Sequence, residues 1–285
     1  MKNGLAIWHY PHRTLTENVR WFSKTLDSVS ALGFHFVEVC RADGGAALAE
    51  ALRENNPIFT VHHKLPSDHG TEAVEAFKED IALCAAWQKQ YGLLATLSFD
   101  VPRGIRDNIL PYLTLTLDAF AGEKTRIAIE DFGLTQDELS QLEPLKGNRQ
   151  FGFLIDIGHL SLRLRNETHP GSIQFCFSGV ECPGEKPDAN AGREMFYKAL
   201  ASKPFPIYEM HLHNNDGRDD LHWFLEDGVL DIQMMADVLT ELGYDDVLTI
   251  ESAPGFKFKC AGQAADDGIA RTIAYWKDCL AKAAK

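Results

Sequence analysis

The chain has 285 residues, of which 45% are hydrophobic and 24% are charged, a composition typical of a globular protein with a sizeable core. Its formal net charge of −13 argues against a nucleic-acid partner, because the phosphate backbone is also negative. No run approaches the roughly eighteen apolar residues of a membrane span, and the N-terminal sequence does not resemble a signal peptide, so we expect a cytoplasmic protein without a membrane partner.

Eight short runs rich in Val, Ile, Leu and Phe are predicted to be strands. Their composition is typical of strands that are buried on both faces of a parallel sheet. In chain order they cover residues 4–8, 34–39, 58–63, 93–99, 126–131, 151–157, 206–213 and 246–252.

Helical patterns separate these runs, and most of them have a recognisable start. Capping boxes, in which a Thr precedes a Glu by three residues, open the patterns that begin at Thr14 and Thr135. The first of these ends at Gly33, a typical stop residue. Further helices are predicted over residues 71–92, with Thr71 as the N-cap, over 231–243 and over 268–285.

The alternation gives eight strand–helix units, which is the count for a (β/α)8 barrel of about 250 residues. An open, doubly wound sheet is the alternative, but it usually has a Gly-rich turn after its first strand, and AIWHYPHRT has no glycine. We therefore predict an α/β protein, a single TIM barrel domain over residues 1–285. The long connection at 160–205 is predicted to be an extended loop after the sixth strand.

Ionisable residues stand at the C-terminal ends of several predicted strands, where TIM barrels build their active sites. The third strand ends in His62 and His63, and of these two neighbours only one, predicted to be His62, can face the barrel interior. A lone buried carboxylate costs several kcal/mol unless it is paired or metal-bound, so burial alone does not explain the pattern. The other strand-end residues are Glu130, Asp156 with the following His159, His211 with His213, and Glu251.

Glu130, Asp156, His211 and Glu251 together offer three carboxylates and one imidazole. Three carboxylates that converge without a cation repel one another. A divalent cation removes that conflict, and oxygen-rich ligation with one nitrogen suits Mn²⁺, Mg²⁺ or Co²⁺, with Zn²⁺ as a further option. The alternative is a structural role, in which the carboxylates pair with core arginines or lysines and His211 is a hydrogen-bonded core histidine.

These motifs resemble the xylose isomerase-like barrels, a family that includes sugar-phosphate isomerases and epimerases and the endonuclease IV enzymes. The resemblance rests on IAIED in the fifth strand, LIDIGH in the sixth, MHLHNNDG followed by DLH in the seventh, and LTIES in the eighth. GFHFVEV and FTVHH support it, and the motifs span nearly the whole chain in the expected order.

The resemblance implies that Glu130, Asp156, His211 and Glu251 bind one divalent cation. It also implies that Glu130 and Glu251 form an acid/base pair that moves a proton through an enediolate of the substrate. The chain would then be a metal-dependent isomerase or epimerase of a small sugar, a sugar phosphate or a related keto-polyol.

Six other residues are candidates for further roles at the site. His159 would be a second histidine beside the site, in contact with substrate or with a further metal, and Asp220 and His222 match a pair that binds an additional zinc in the endonucleases. His62 falls where several family members place a substrate or metal contact. His213 shares the strand face of His211, and Glu38 closes the second strand, so both are candidates for lining the substrate pocket. A salt bridge inside the barrel is the alternative for Glu38, and a solvated loop is the alternative for Asp220 and His222.

An endonuclease IV-like zinc phosphodiesterase that acts on abasic DNA is the alternative function. The net charge counts against it. The fourth strand also counts against it, because it ends in LSFDVPRG without the histidine that the three-zinc endonucleases place there. The predicted partner is therefore a small carbohydrate, and assembly into a homo-oligomer is left open.

Overall fold

The computed structural model describes residues 1–6, 34–40, 58–131, 134–168, 189–217, 219–253 and 263–285. Three sequence predictions fall wholly or partly outside these ranges. They are the last two residues of the first predicted strand, 7–8, the helix predicted over 14–33, and residues 169–188 of the loop predicted over 160–205.

Eight parallel strands form a closed barrel in sequence order, and β1 closes it by pairing with β8. Each observed strand lies within two residues of its predicted bounds, so the predicted TIM barrel is confirmed. The strands are β1 (Lys2–Ala6), β2 (Phe34–Cys40), β3 (Ile58–Lys64), β4 (Leu94–Asp100), β5 (Arg126–Glu130), β6 (Phe151–Asp156), β7 (Ile207–Leu212) and β8 (Val247–Ile250).

Helices surround the barrel, and none of those in the described ranges is long and apolar enough to cross a membrane. Two of them, α4 and α5, contain most of the described residues of the loop predicted over 160–205. The helices are α1 (Thr71–Tyr91), α2 (Leu110–Ala119), α3 (Gln136–Ser140), α4 (Ile157–Thr168), α5 (Ala189–Ala201), α6 (Ile232–Glu241) and α7 (Gln263–Ala283), with 3-10 turns at Arg103–Asn108 and Glu143–Leu145.

The predicted helix starts are partly right. The capping box of Thr135 is present, and the Asp231 side chain accepts a hydrogen bond from the backbone N–H of Met234 as the N-cap of α6. Thr71 is not an N-cap, because the chain is already helical there and Gly70 takes that place. Helix α7 begins five residues before the predicted Gly268, which lies inside the helix where its missing side chain makes room for the ring of Phe224.

Side chains alternate between the two faces of each strand, and the two faces differ in character. One set is large and apolar and packs in the hydrophobic core, as Phe59, Val61 and Leu97 do. The other set faces the barrel interior, and its members that lie beneath the candidate site form a polar layer. That layer contains Thr60, Thr96, Ser98, Thr249, Glu38 and Glu209, all with no solvent exposure. The candidate site therefore rests on a buried polar layer.

Candidate metal centre

Asp156 lies at the centre of the ionisable groups that gather at the C-terminal end of the barrel. It ends β6 and is 4% exposed. His213, which follows β7, places its Nε2 atom 3.0 Å from Asp156 Oδ1. Ligand atoms of Asp156, His213 and Glu251 all lie within 4.8 Å of one another, and a metal ion could be held between them.

Gly158 explains how the His213 ring fits against Asp156. A Cβ atom built at position 158 would overlap the imidazole of His213, so the ring packs directly on the backbone of the first turn of α4. His213 is fully buried, and its ring stacks at 3.9 Å on the ring of His222. The glycine in the motif LIDIGH is therefore part of the site.

Glu130 joins the same region from β5. His159 Nδ1 lies 2.6 Å from Glu130 Oε1, and the backbone N–H of His159 donates to Asp156 Oδ1 at 2.8 Å. Ligand atoms of Glu130, Asp156 and His159 form a second set within 4.8 Å of one another. Burial raises the pKa of Glu130 to about 7, although the neighbouring His159 opposes that rise. Asp156 therefore belongs to both sets and links Glu130 to Glu251.

His211 occupies a deeper position than His213. Its Nε2 atom lies 2.9 Å from Glu38 Oε2, and its Nδ1 atom lies 3.1 Å from Glu251 Oε2. Burial lowers the pKa of His211, but the carboxylates of Glu251 and Glu38 outweigh that effect and raise it well above its ordinary value. Of the two histidines on this strand face, the structure places His213 beside Asp156, whereas His211 contacts Glu38 and Glu251.

Glu38 was predicted to contact substrate, and the structure places it beneath His211 with no solvent exposure. Burial raises the pKa of Glu38, but the charge of His211 and a hydrogen bond from it lower the pKa further, so the net value is below the ordinary one. Glu38 is therefore held as an anion by the imidazole above it.

Asp220 and His222 reach the site from the loop after β7. His222 Nε2 lies 3.1 Å from Asp220 Oδ1, and His159 Nε2 lies 3.2 Å from Asp220 Oδ2. Ligand atoms of these three residues and of His213 lie within 4.8 Å of one another. His222 has a positive φ of 51°, an uncommon conformation outside glycine that tends to persist at functional sites. This imidazole-rich group adjoins the Asp156 group.

The asparagine pair of HLHNNDG explains how the loop returns to the rim of the barrel. Asn214 and Trp223 exchange backbone hydrogen bonds at 3.1 and 2.7 Å, which closes the loop that carries Asp220. The Asn214 side chain donates to the carbonyl of Leu225, and Gly228 leaves the space that this side chain fills. The stretch is therefore a structured loop that brings two ionisable groups back to the site.

Asp100 is a member of the site that the sequence analysis missed. It ends β4, and its Oδ1 atom lies 3.2 Å from His62 Nε2, while Ser98 Oγ lies 3.0 Å from His62 Nδ1. Ligand atoms of His62, Asp100 and Glu130 lie within 4.8 Å of one another. The alternation of Thr96, Ser98 and Asp100 along the strand was the available signal, because it places all three on the interior face. As the same alternation predicts, His62 points inward, whereas His63 bonds to Asp80 on α1.

The geometry defines a parallel eight-stranded barrel with carboxylates and imidazoles grouped at the C-terminal end of its strands. The chain belongs to the xylose isomerase-like TIM barrel family, whose model matches residues 26–279. Comparison of the sequence with curated proteins gives no match.

Solved structures with the same fold include several sugar epimerases. A D-tagatose 3-epimerase-like protein has a TM-score of 0.65 at 16% identity, with 100% of both chains covered. An L-ribulose 3-epimerase has a TM-score of 0.62 at 15% identity and covers 99% of this chain and 96% of its own. The D-psicose 3-epimerase of Clostridium cellulolyticum H10, solved with D-tagatose, has a TM-score of 0.54 at 9% identity and covers 99% and 98%. At these identities the likeness establishes the fold.

Replacing Gly158 with alanine is expected to weaken divalent-cation binding by about tenfold or more, because the new methyl group displaces the His213 ring. Calorimetric titration with Mn²⁺ measures the change. Gly268→Ala is the matched control, since it creates a similar overlap with the ring of Phe224, which is not among the proposed ligands. Equal cation affinity in the Gly158 variant and the wild type would contradict the importance of this contact.

Glu209 lies in the polar layer and gives the stability of the chain a distinct pH dependence. Burial, and next the charge of Glu38, raise the pKa of Glu209 from 4.5 to about 8. A group whose pKa is higher in the folded chain binds more protons there, so the free energy of unfolding decreases as the pH rises from about 4.5 to about 8. Glutamine has nearly the same shape as glutamate but does not ionise.

Glu209→Gln is therefore expected to gain stability relative to the wild type as the pH rises, by up to a few kcal/mol between about pH 5 and about pH 8. Urea unfolding of both proteins at a series of pH values measures this difference. A difference that does not change with pH would contradict the raised pKa.

Proposed function

We propose that the chain is a divalent-cation-dependent epimerase or isomerase of a small ketose or a related keto-polyol. The observation that carries the proposal is that ligand atoms of Asp156, His213 and Glu251 lie within 4.8 Å of one another. Glu130 belongs to a second such group, which also contains Asp156 and His159. The epimerases that share the fold support the substrate class.

The residues at the site fit a divalent cation. The proposed ligands are Glu130, Asp156, His213 and Glu251. His213 supplies the imidazole, in place of the His211 expected from the sequence. Three buried carboxylates and one imidazole are a donor set that suits Mn²⁺, Co²⁺ or Mg²⁺. The space that Gly158 leaves for His213 also fits this arrangement. A bound cation would supply Lewis-acid polarisation of the substrate carbonyl and its neighbouring hydroxyl.

The two glutamates carry the proposed proton transfer. One carboxylate removes the proton from the carbon next to the carbonyl group, and the electron pair of that C–H bond forms the double bond of an enediolate while the carbonyl oxygen takes up negative charge. The other glutamate, which starts as the carboxylic acid, gives its proton to the opposite face of that carbon and becomes a carboxylate, the double bond reverts to the carbonyl, and the configuration is inverted. His159, at 2.6 Å from Glu130, orients that carboxyl group and exchanges protons with it.

A second cation site is proposed at His159, Asp220 and His222. Two imidazoles and a carboxylate, with a third imidazole from His213 within 4.8 Å, suit zinc better than magnesium. This group is also the observation that favours the second candidate function, a zinc phosphodiesterase acting on abasic DNA. The net charge of −13 counts against that candidate.

Elemental analysis combined with a deuterium-exchange screen tests the proposal. The purified protein is incubated in D₂O with ketopentoses, ketohexoses, their phosphates and inososes, before and after chelation. We expect bound divalent cation, and deuterium next to the carbonyl of at least one compound, lost on chelation and restored by Mn²⁺ or Co²⁺. No exchange with any compound, or exchange that survives chelation, would overturn the proposal. Incision of abasic DNA with two or three zinc ions bound would favour the phosphodiesterase.

A further inference from the structure

His211 has a bonding pattern that the proposed cation site does not use. Both of its ring nitrogens face buried carboxylates, with Nε2 at 2.9 Å from Glu38 Oε2 and Nδ1 at 3.1 Å from Glu251 Oε2. Glu38 has no solvent exposure, His211 is 1% exposed and Glu251 is 3% exposed. The contact with Glu38 is a hydrogen bond, and the contact with Glu251 is within ion-pair distance.

The three residues come from different parts of the barrel. Glu38 is on β2, His211 is on β7 and Glu251 follows β8, so the contact between Glu38 and His211 crosses the barrel interior. Glu38 is also within 3.5 Å of the Thr60 hydroxyl, on β3. An imidazole that contacts a carboxylate at each nitrogen and is buried cannot rotate freely, and it limits the orientation of the Glu251 carboxylate that it contacts.

The orientation of Glu251 matters because a carboxylate that removes a proton must present its oxygen along the C–H bond, and a misplacement of about 1 Å can cost about 100-fold in rate. We infer that the Glu38–His211 pair is a positioning device for Glu251, in which His211 fixes the carboxylate and Glu38 fixes the His211 ring. This inference rests on the proposed function, because it assigns Glu251 to the reaction. Neither Glu38 nor His211 touches the substrate in this account.

Two substitutions of His211 separate its two contacts. The amide nitrogen of asparagine stands near the position of Nδ1 and can still donate to Glu251, whereas the amide nitrogen of glutamine stands near Nε2 and reaches Glu38. Both changes are made in the Glu38→Gln background, so that Glu38 is not left as a buried carboxylate without its imidazole. Both double variants therefore have the same charge and differ in which contact they retain.

We expect the variant with His211→Asn to keep kcat within about tenfold of the wild type and the variant with His211→Gln to lose about 100-fold, with KM changed little in either. The visible absorption of bound Co²⁺ gives a readout that does not depend on turnover. It should be similar to the wild type in the asparagine variant and altered in the glutamine variant. Equal kcat and equal spectra in the two variants would overturn the inference.

Single substitutions of Glu38 provide a second test if the double variants do not fold. Glu38→Gln keeps an acceptor for His211 and should keep kcat within a fewfold, whereas Glu38→Met fills the same space without an acceptor and should lower kcat by about tenfold or more. Equal kcat for these two variants would also overturn the inference. A wild type that binds Co²⁺ but exchanges no proton would instead contradict the proposed reaction, and the Co²⁺ spectra would still report on the positioning of Glu251.

Discussion

Asparagine in place of Asp156 is expected to weaken divalent-cation binding by at least about 100-fold. Asp156 is the one residue shared by the Glu130 group and the Glu251 group, and it bonds to the backbone N–H of His159 and to the ring of His213. Asparagine keeps the shape of the side chain but removes the negative charge and one acceptor, so the donor set loses its central ligand.

Thermal unfolding with and without Mn²⁺ measures this effect. A ligand present at about 100 times its Kd stabilises the folded state by about 2.7 kcal/mol, which for a chain of this size corresponds to a rise in Tm of roughly 4–5 °C. The wild type and the exposed control Asp118→Asn should both show the rise, and Asp156→Asn should not. A full Tm shift in the Asp156 variant would remove this residue from the proposed ligands.

Local sequence patterns predicted the barrel and most of the residues around Asp156. Runs of apolar residues identify the strands, and carboxylates at the ends of such runs are informative because parallel strands of a barrel end at the same rim. Glu130, Asp156 and Glu251 could be predicted without knowledge of contacts between residues distant in sequence. The prediction of Thr71 as an N-cap was wrong. A threonine followed by an acidic residue in the first turn is as compatible with the first helical residue as with the N-cap.

The choice between His211 and His213 could not be made from the sequence. Both lie on the interior face, since side chains two residues apart on a strand point the same way. Their depth is set by partners elsewhere, namely Glu38, which is 173 residues from His211 in sequence, and the bare backbone of Gly158 beneath His213. The position of His222 likewise depends on the backbone bonds of Asn214 to Trp223. Such contacts follow from how the barrel closes and leave no local pattern.

Glutamine in place of Glu251 is expected to reduce epimerisation by about 1,000-fold while the protein still binds its cation. Removing a general acid or base typically costs about 100- to 10,000-fold, and the glutamine oxygen remains available as a ligand. If Glu130 and Glu251 serve opposite faces of the substrate, Glu251→Gln should still exchange the proton of one epimer with D₂O, and Glu130→Gln should exchange that of the other. NMR of each epimer separately, at saturating Mn²⁺, measures the two exchange rates.

This pair of variants distinguishes two ways in which a carbon centre can be inverted. With two bases, each variant loses exchange on one epimer only, and the epimer differs between the variants. With one base that serves both faces, one variant loses exchange on both epimers and the other retains it. Glu143→Gln, on an exposed 3-10 turn, controls for the substitution itself and should leave both rates unchanged. Exchange lost on the same single epimer in both variants would exclude a two-base transfer, because it would place both carboxylates on one face of the substrate.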